Sequence, residues 1–284
     1  SPISDTAVFE DTFKDSVVDD YLTHIQQNLF NNIPDKTALI FDGQTISYAE
    51  FGENVAKVRV ALDQAGIGQN QVVAICLRKS PEHIYAILAC ALSGVIWLPV
   101  DMDSPKVRQD YILKNSCAEI AISTIPMDGL PNINIHDALN SLMNKTTQNN
   151  LFWQHRHDAS PAYYLYTSGS TGTPKCVVLN NRATANVMQE TIAFWNIQYS
   201  DIHLAATPFH HDMAIFDIMA PLSVGGTLVV PTLEEAKSAV AWSSLIEKYQ
   251  VTIWCTVPAM ADMLLTAAEA SQLQSIKLIN QGGD

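Results

Sequence analysis

The sequence predicts an α/β protein made of two α/β subdomains, each with a largely parallel sheet flanked by helices. Three observations lead there. Short runs rich in β-branched residues alternate with helical patterns along most of the chain, and strands that alternate with helices form parallel sheets covered on both faces. The 284 residues suffice for one large domain or two smaller ones. Residues 144–160, NKTTQNNLFWQHRHDAS, are polar and unpatterned and read as a link, so residues 1–150 and 151–284 are taken as the two subdomains.

Residues 21–33 carry Tyr21, Leu22, Ile25, Leu29 and Phe30 at helical spacing, and Pro34 closes the segment. TALIF and QTISY around Asp42-Gly43 form a hairpin. Ser47 and Glu50 make a capping box for a helix that ends at Gly66. Strand 72–77, helix 81–92, strand 95–100, helix 105–114 and strand 119–123 follow. Ser104-Pro105 is read as a cap followed by a proline in the first helical position. After the link come strands 162–166 and 176–179, helix 181–194, strand 203–206, helix 213–222, strand 227–230, helix 233–249, strand 251–254, helix 258–268 and strand 276–279.

Sixteen basic against 29 acidic residues leave a net charge of −13, which argues against nucleic acid or an anionic membrane as partner. The uncharged run 84–100 is short for a membrane span, is broken by Ser93-Gly94 and ends at Pro99. The five cysteines are scattered without a C-x-x-C pair, so neither a disulfide framework nor a zinc site is indicated, and a reducing cytoplasm is expected. His155 and His157 have no third metal ligand at a recognised spacing and read as solvated loop.

The chemistry concentrates in Tyr166-Thr167-Ser168-Gly169-Ser170-Thr171-Gly172-Thr173-Pro174-Lys175, which lies between two apolar strands. Glycines bring backbone N–H groups close to a ligand, the hydroxyls add donors without bulk, and Lys175 adds a point charge. Such a loop suits a polyphosphate. The spacing is neither that of a Walker A loop nor G-x-G-x-x-G.

YTSGSTGTPK resembles the phosphate loop of the adenylate-forming superfamily, which includes nonribosomal peptide adenylation domains, acyl-CoA synthetases and luciferases. The fold implied is the N-terminal core of that superfamily, truncated before its C-terminal lid. The resemblance implies that Thr167, Ser168, Gly169, Ser170, Thr171, Gly172 and Thr173 wrap the phosphates of ATP and that Lys175 helps place the loop. Cys176 stands where the family usually has glycine. LPVDMDSP at 98–105, followed by Arg108 and Tyr111, resembles a core motif of amino-acid-activating adenylation domains, and its content is read as structural.

A second constellation, Thr207-Pro208-Phe209-His210-His211-Asp212-Met213-Ala214-Ile215-Phe216, falls at a strand-to-helix junction, where open α/β sheets collect ligands. Asp212 could simply cap the helix, but a cap does not require two histidines before it. Counting back from Gly225, the resemblance puts His211 at a gating position and gives Asp212 the α-ammonium of an amino acid. An ammonium taken out of water needs an opposite charge. Met213, Phe216, Cys255, Ile279 and Gln281 then surround the substrate side chain, while Gly282 and Gly283 begin the adenine-contacting segment. Fatty-acyl-AMP ligases carry a similar His-Asp-Met run, so Asp212 alone does not fix the substrate.

The function implied is ATP- and Mg²⁺-dependent activation of a small or medium neutral amino acid, with proline the first candidate. The aminoacyl group then passes to the phosphopantetheine thiol of an acyl or peptidyl carrier protein. His211 and Lys175 are the catalytic candidates within the chain. The family's Mg²⁺-binding acid and C-terminal lysine are expected outside it, and the fragment alone is expected to be inactive. Alternatives are a fatty-acyl or aryl-acid ligase and a non-catalytic nucleotide-binding module.

Overall fold

A computed structural model describes residues 20–142, 159–167 and 173–282. In chain order its elements begin with α1 (Tyr21–Gln27), β1 (Thr37–Phe41), β2 (Gln44–Ser47), α2 (Tyr48–Gln64), β3 (Val72–Cys76) and α3 (Pro81–Leu92). Next come β4 (Ile96–Pro99), α4 (Lys106–Asn115), β5 (Ile120–Ser123), β6 (Asn132–Asn134) and α5 (Ile135–Asn140). Beyond the link lie β7 (Pro161–Thr167), β8 (Lys175–Asn180), α6 (Asn181–Phe194), β9 (Ile202–Leu204), α7 (Asp212–Val224) and β10 (Thr227–Val230). The described chain closes with α8 (Ala239–Tyr249), β11 (Ile253–Thr256), α9 (Pro258–Ala267) and β12 (Leu278–Gln281).

The described strands form two six-stranded sheets, in the orders β6-β5-β3-β4-β7-β8 and β12-β11-β9-β10-β1-β2. Each is parallel except for one antiparallel pair at an edge, β7 with β8 and β1 with β2. The expected α/β class and largely parallel pairing are both observed. The division at residue 150 is not. Among the described residues, one unit takes Glu53–Arg78 and Glu82–Val187, and the other takes residues 20–52, Lys79–Pro81 and residues 188–282. The reason is pairing: β1 lies parallel to β10, with Leu39 opposite Leu228, and Trp97 of β4 lies opposite Tyr163 of β7. The phosphate-loop hairpin therefore belongs with β3, β4 and β5, and the first hairpin belongs with β9 to β12.

Local chemistry explains most of the element ends. Asp42 (φ 48°) and Gly43 (φ 74°) both adopt left-handed backbone in the tight turn between β1 and β2, as a two-residue hairpin loop requires. At the start of α2 the Ser47 hydroxyl accepts the Glu50 N–H at 3.2 Å, one half of the expected capping box. Gly52 is imposed by packing, because a Cβ there would stand 2.5 Å from the Leu29 carbonyl oxygen. The last turn of α7 is satisfied from elsewhere in its unit, since the Asn28 amide donates to the carbonyls of Leu222 and Ser223 at 3.0 Å each.

Several boundaries differ from expectation for identifiable reasons. The helix expected over 21–33 gives way after Gln27 to a π-helical turn, Asn28–Asn32. Pro105 is the N-cap of α4 rather than its first helical residue, and the Ser104 hydroxyl donates to the Asp101 carbonyl instead of capping. The stretch expected as one helix over 233–249 is split at Ser238, whose hydroxyl accepts the Ala241 N–H and starts α8 afresh. The last strand lies two residues later than expected. Neither β6 nor α5 was anticipated, because the strand is three residues long and two of them are asparagines.

In the first unit, Val72, Ala74, Ile96, Leu98, Ile112, Leu113, Tyr164 and Cys176 form a continuous buried cluster. In the second, Leu204, Val229, Trp242, Leu245, Ile246, Trp254 and Leu264 do the same. Among the described residues no helix is long and apolar enough to cross a membrane.

Candidate functional site

The phosphate-loop candidates are carried by the β7–β8 hairpin. Thr167 stands opposite Lys175 and Tyr166 opposite Cys176, so the loop springs from the open end of an antiparallel pair. Thr167, Thr173 and Lys175 are exposed there. Ser168, Gly169, Ser170, Thr171 and Gly172, like Gly283, lie outside the described residues, as do His155 and His157. The base of the hairpin is fixed from below. The Tyr166 hydroxyl donates to Asn115 Oδ1 at 2.7 Å, at the end of α4, and Cys176 is buried within the core cluster. Burial, followed by the nearby Cys176 thiol, raises the Tyr166 phenol well above its ordinary value, so it stays a neutral donor. A side chain at 176, where glycine is usual in the family, is therefore accommodated by packing.

The second group sits at the carboxyl ends of β9, β11 and β12. β9 stops at Leu204, a loop runs to His211, and Asp212 is the first residue of α7. Asp212 and His211 are exposed, and the His210 and His211 rings lie 4.6 Å apart at 40°. His211 is the N-cap of α7 and makes no side-chain cap bond; Asp212, the first helical residue, accepts only the N–H of its neighbour Met213 on Oδ1 at 2.8 Å, so it is not the cap. Met213 reaches toward β12: a Cβ built on Gly282 would lie 3.4 Å from its Sδ. Gly282 is held by its N–H on the Thr256 carbonyl, 3.0 Å. The structure thus brings Asp212, Met213 and Gly282 to one end of the sheet.

The remaining pocket candidates divide. Ile279 lies opposite Trp254 in the β11–β12 register and packs on the cluster that contains Trp242 and Leu264. Cys255 lies opposite Asn280, and since side chains alternate along a strand it points to the other face. Gln281 is exposed, and Phe216 meets Trp195 edge to face at 5.0 Å.

Two charged residues not anticipated from the sequence lie beneath this group. Asp217, four residues beyond Met213 on α7, is 1% exposed; its polar neighbours are the Cys255 thiol and Lys79. Burial raises its carboxyl well above the usual range, opposed by Lys79 and Cys255. Lys79 donates to the Thr207 carbonyl at 2.7 Å and lies 4.3 Å from the centroid of the Phe209 ring. Burial lowers its ammonium to about 7, with Asp217 opposing the shift. One signal was available for Asp217, an acid set in the apolar run AIFDIMAPL. None marked Lys79, which is far away in sequence. Among the described residues no three His, Cys, Asp or Glu side chains cluster as a metal site.

A family model described as AMP-binding enzyme matches residues 27–284, and the chain belongs to this family. It is 31% identical over 263 residues to the anguibactin system regulator of Vibrio anguillarum, covering 86% of this chain and 24% of the relative. It is 32% identical over 261 residues to phenyloxazoline synthase MbtB of Mycobacterium sp., covering 88% and 21%. The chain therefore spans less than a third of these relatives. Among solved structures, it superposes on the nonribosomal peptide synthetase FmoA3 with a TM-score of 0.82 at 25% identity, over 92% of this chain and 28% of that one. The fold is also that of the N-terminal subdomain of Klebsiella oxytoca NpsA, solved with 3-hydroxyanthranilyl-AMSN, at a TM-score of 0.79 and 24% identity over 95% of this chain and 66% of that one.

Proposed function

We propose that the chain is the ATP- and acid-binding part of a longer ligase that activates a neutral amino acid of small to medium size as its adenylate and passes it to a carrier protein's phosphopantetheine thiol. The observation that carries the reading is Asp212, an acid at the first position of α7 with Met213 reaching Gly282 beside it. Membership of the AMP-binding family and the likeness to peptide synthetases support it.

In this reading Thr167 to Thr173 and Lys175 hold the triphosphate, and Asp212 pairs with the substrate ammonium. His211 gates the entrance, Met213, Phe216, Cys255 and Gln281 bound the side-chain space, Ile279 supports its wall from the core side, and Gly282 and Gly283 lead toward the adenine. A substrate carboxylate oxygen attacks the α-phosphorus of ATP; the new O–P bond forms as the bond to the bridging oxygen breaks and pyrophosphate leaves. The thiol sulfur then attacks the acyl carbon, loses its proton and expels AMP. The residues contribute positioning and charge neutralisation. Mg²⁺, when bound, offsets negative charge on the departing pyrophosphate.

The Klebsiella oxytoca complex favours a second reading, an aryl acid without an ammonium. ATP–pyrophosphate exchange by the complete enzyme over a panel of acids separates the two. Exchange driven by neutral amino acids, proline first among them, is expected; exchange driven only by aryl or fatty acids overturns the assignment.

A further inference from the structure

Lys79 does not belong to the adenylation machinery proposed above, yet it is tied to the loop that carries it. The segment between β9 and α7 is fastened at three points. The Thr207 hydroxyl donates to the Cys255 carbonyl at 3.4 Å, which anchors the loop to β11. The Thr207 carbonyl accepts Lys79 Nζ at 2.7 Å, and the same ammonium lies over the buried Phe209 ring. The His211 N–H then closes a turn on the Pro208 carbonyl at 3.0 Å. Asp212 follows directly.

We infer that Lys79 is a positioning residue for substrate recognition: its ammonium holds Thr207 and Phe209 so that the turn at 208–211 presents Asp212 to the substrate ammonium. The inference rests on the role proposed for Asp212. A cation donating to a carbonyl in buried surroundings makes a stronger bond than a neutral donor, and it needs a counter-charge nearby. Asp217 lies on α7, the helix that Asp212 begins, and favours the charged form of Lys79. Through Thr207 and Phe209 the ammonium fixes the loop that leads into α7. A loop released by ~1 Å can cost on the order of 100-fold in rate, so the penalty should fall on the amino acid and spare ATP.

The test uses the complete enzyme in ATP–pyrophosphate exchange, with wild type, Asp212→Asn, Lys79→Met and the double variant Lys79→Met/Asp217→Asn. Lys79→Met is expected to raise the KM for the amino acid ~10-fold or more, with the KM for ATP within ~2-fold of wild type. In the double variant no buried charge is left without its partner. Its melting temperature should return toward wild type while the amino-acid KM stays high, which a purely structural role would not produce. A wild-type amino-acid KM in Lys79→Met overturns the proposal, as does an equal rise in both KM values or a loss of folded structure in both variants. If wild type exchanges with no amino acid, the failure belongs to the functional reading. If it does so and Asp212→Asn is impaired while Lys79→Met is not, the failure belongs to Lys79 alone.

Discussion

Met213 and Gly282 close on each other across the ends of α7 and β12, the glycine leaving 3.4 Å between the Met213 Sδ and where its own Cβ would be. The thioether therefore occupies space beside the strand end, and in the proposed reading its length sets the room left for a substrate side chain. Met213→Ala removes that bulk. The expected result is a ~10-fold gain in relative kcat/KM for a neutral amino acid one or two methylenes larger, the range in which a hydrophobic pocket discriminates such groups. An unchanged preference would show that Met213 is not a wall.

The hairpin base offers a probe on the nucleotide side. Tyr166→Phe deletes the hydroxyl that donates to Asn115 at 2.7 Å. The bond lost is worth about 1 kcal/mol, so the KM for ATP should rise up to ~5-fold with the amino-acid KM unchanged. A change confined to the amino acid would contradict the assignment of this hairpin to phosphate.

Acid stability should be governed in part by His203. It is 1% exposed on β9, and among the described residues neither ring nitrogen has a hydrogen-bond partner. Burial lowers its pKa to about 3, with Asp201 opposing and Lys277 assisting. A folded pKa below the unfolded value of 6.5 means the unfolded chain takes up the proton first. Stability is therefore full above about pH 6.5 and falls as the pH drops toward 3. Asp201 acts lower still. Burial pushes its carboxyl up, but bonds from Lys277, the Gln198 N–H and Thr252 outweigh this and hold it below 3.8. Denaturant melts of wild type and His203→Leu at pH 7 and 4.5 should show a clearly smaller loss in the variant; equal losses would assign the acid limb to other groups.

Much of this was legible in the sequence because it is local. Alternation of strand and helix gave the class, Asp42-Gly43 gave a turn with two left-handed residues, and the hydroxyl- and glycine-rich stretch before Lys175 marked a loop on a strand pair. Partners distant in sequence were not legible. The division at residue 150 failed because β1 pairs with β10, nearly two hundred residues away, and no local pattern carries that pairing. Ile279 and Cys255 were placed around one pocket, but the β11–β12 register sends them to opposite faces. Asp217 was visible as an acid in an apolar helix, whereas Lys79 reaches the Thr207 carbonyl only once the β3–α3 connection is folded.

The claim on which the rest depends is that Asp212 receives a substrate ammonium. The direct measurement is ATP–pyrophosphate exchange by the complete enzyme and its Asp212→Asn variant, each given the best amino acid and the same acid without its amino group. Losing one partner of a desolvated charge pair costs about 2–5 kcal/mol, so the variant should lose on the order of 30-fold or more in kcat/KM for the amino acid, while the acid lacking the amino group is poor with both. An acid without an amino group that matches the amino acid in wild type, and is undiminished in Asp212→Asn, would contradict the account.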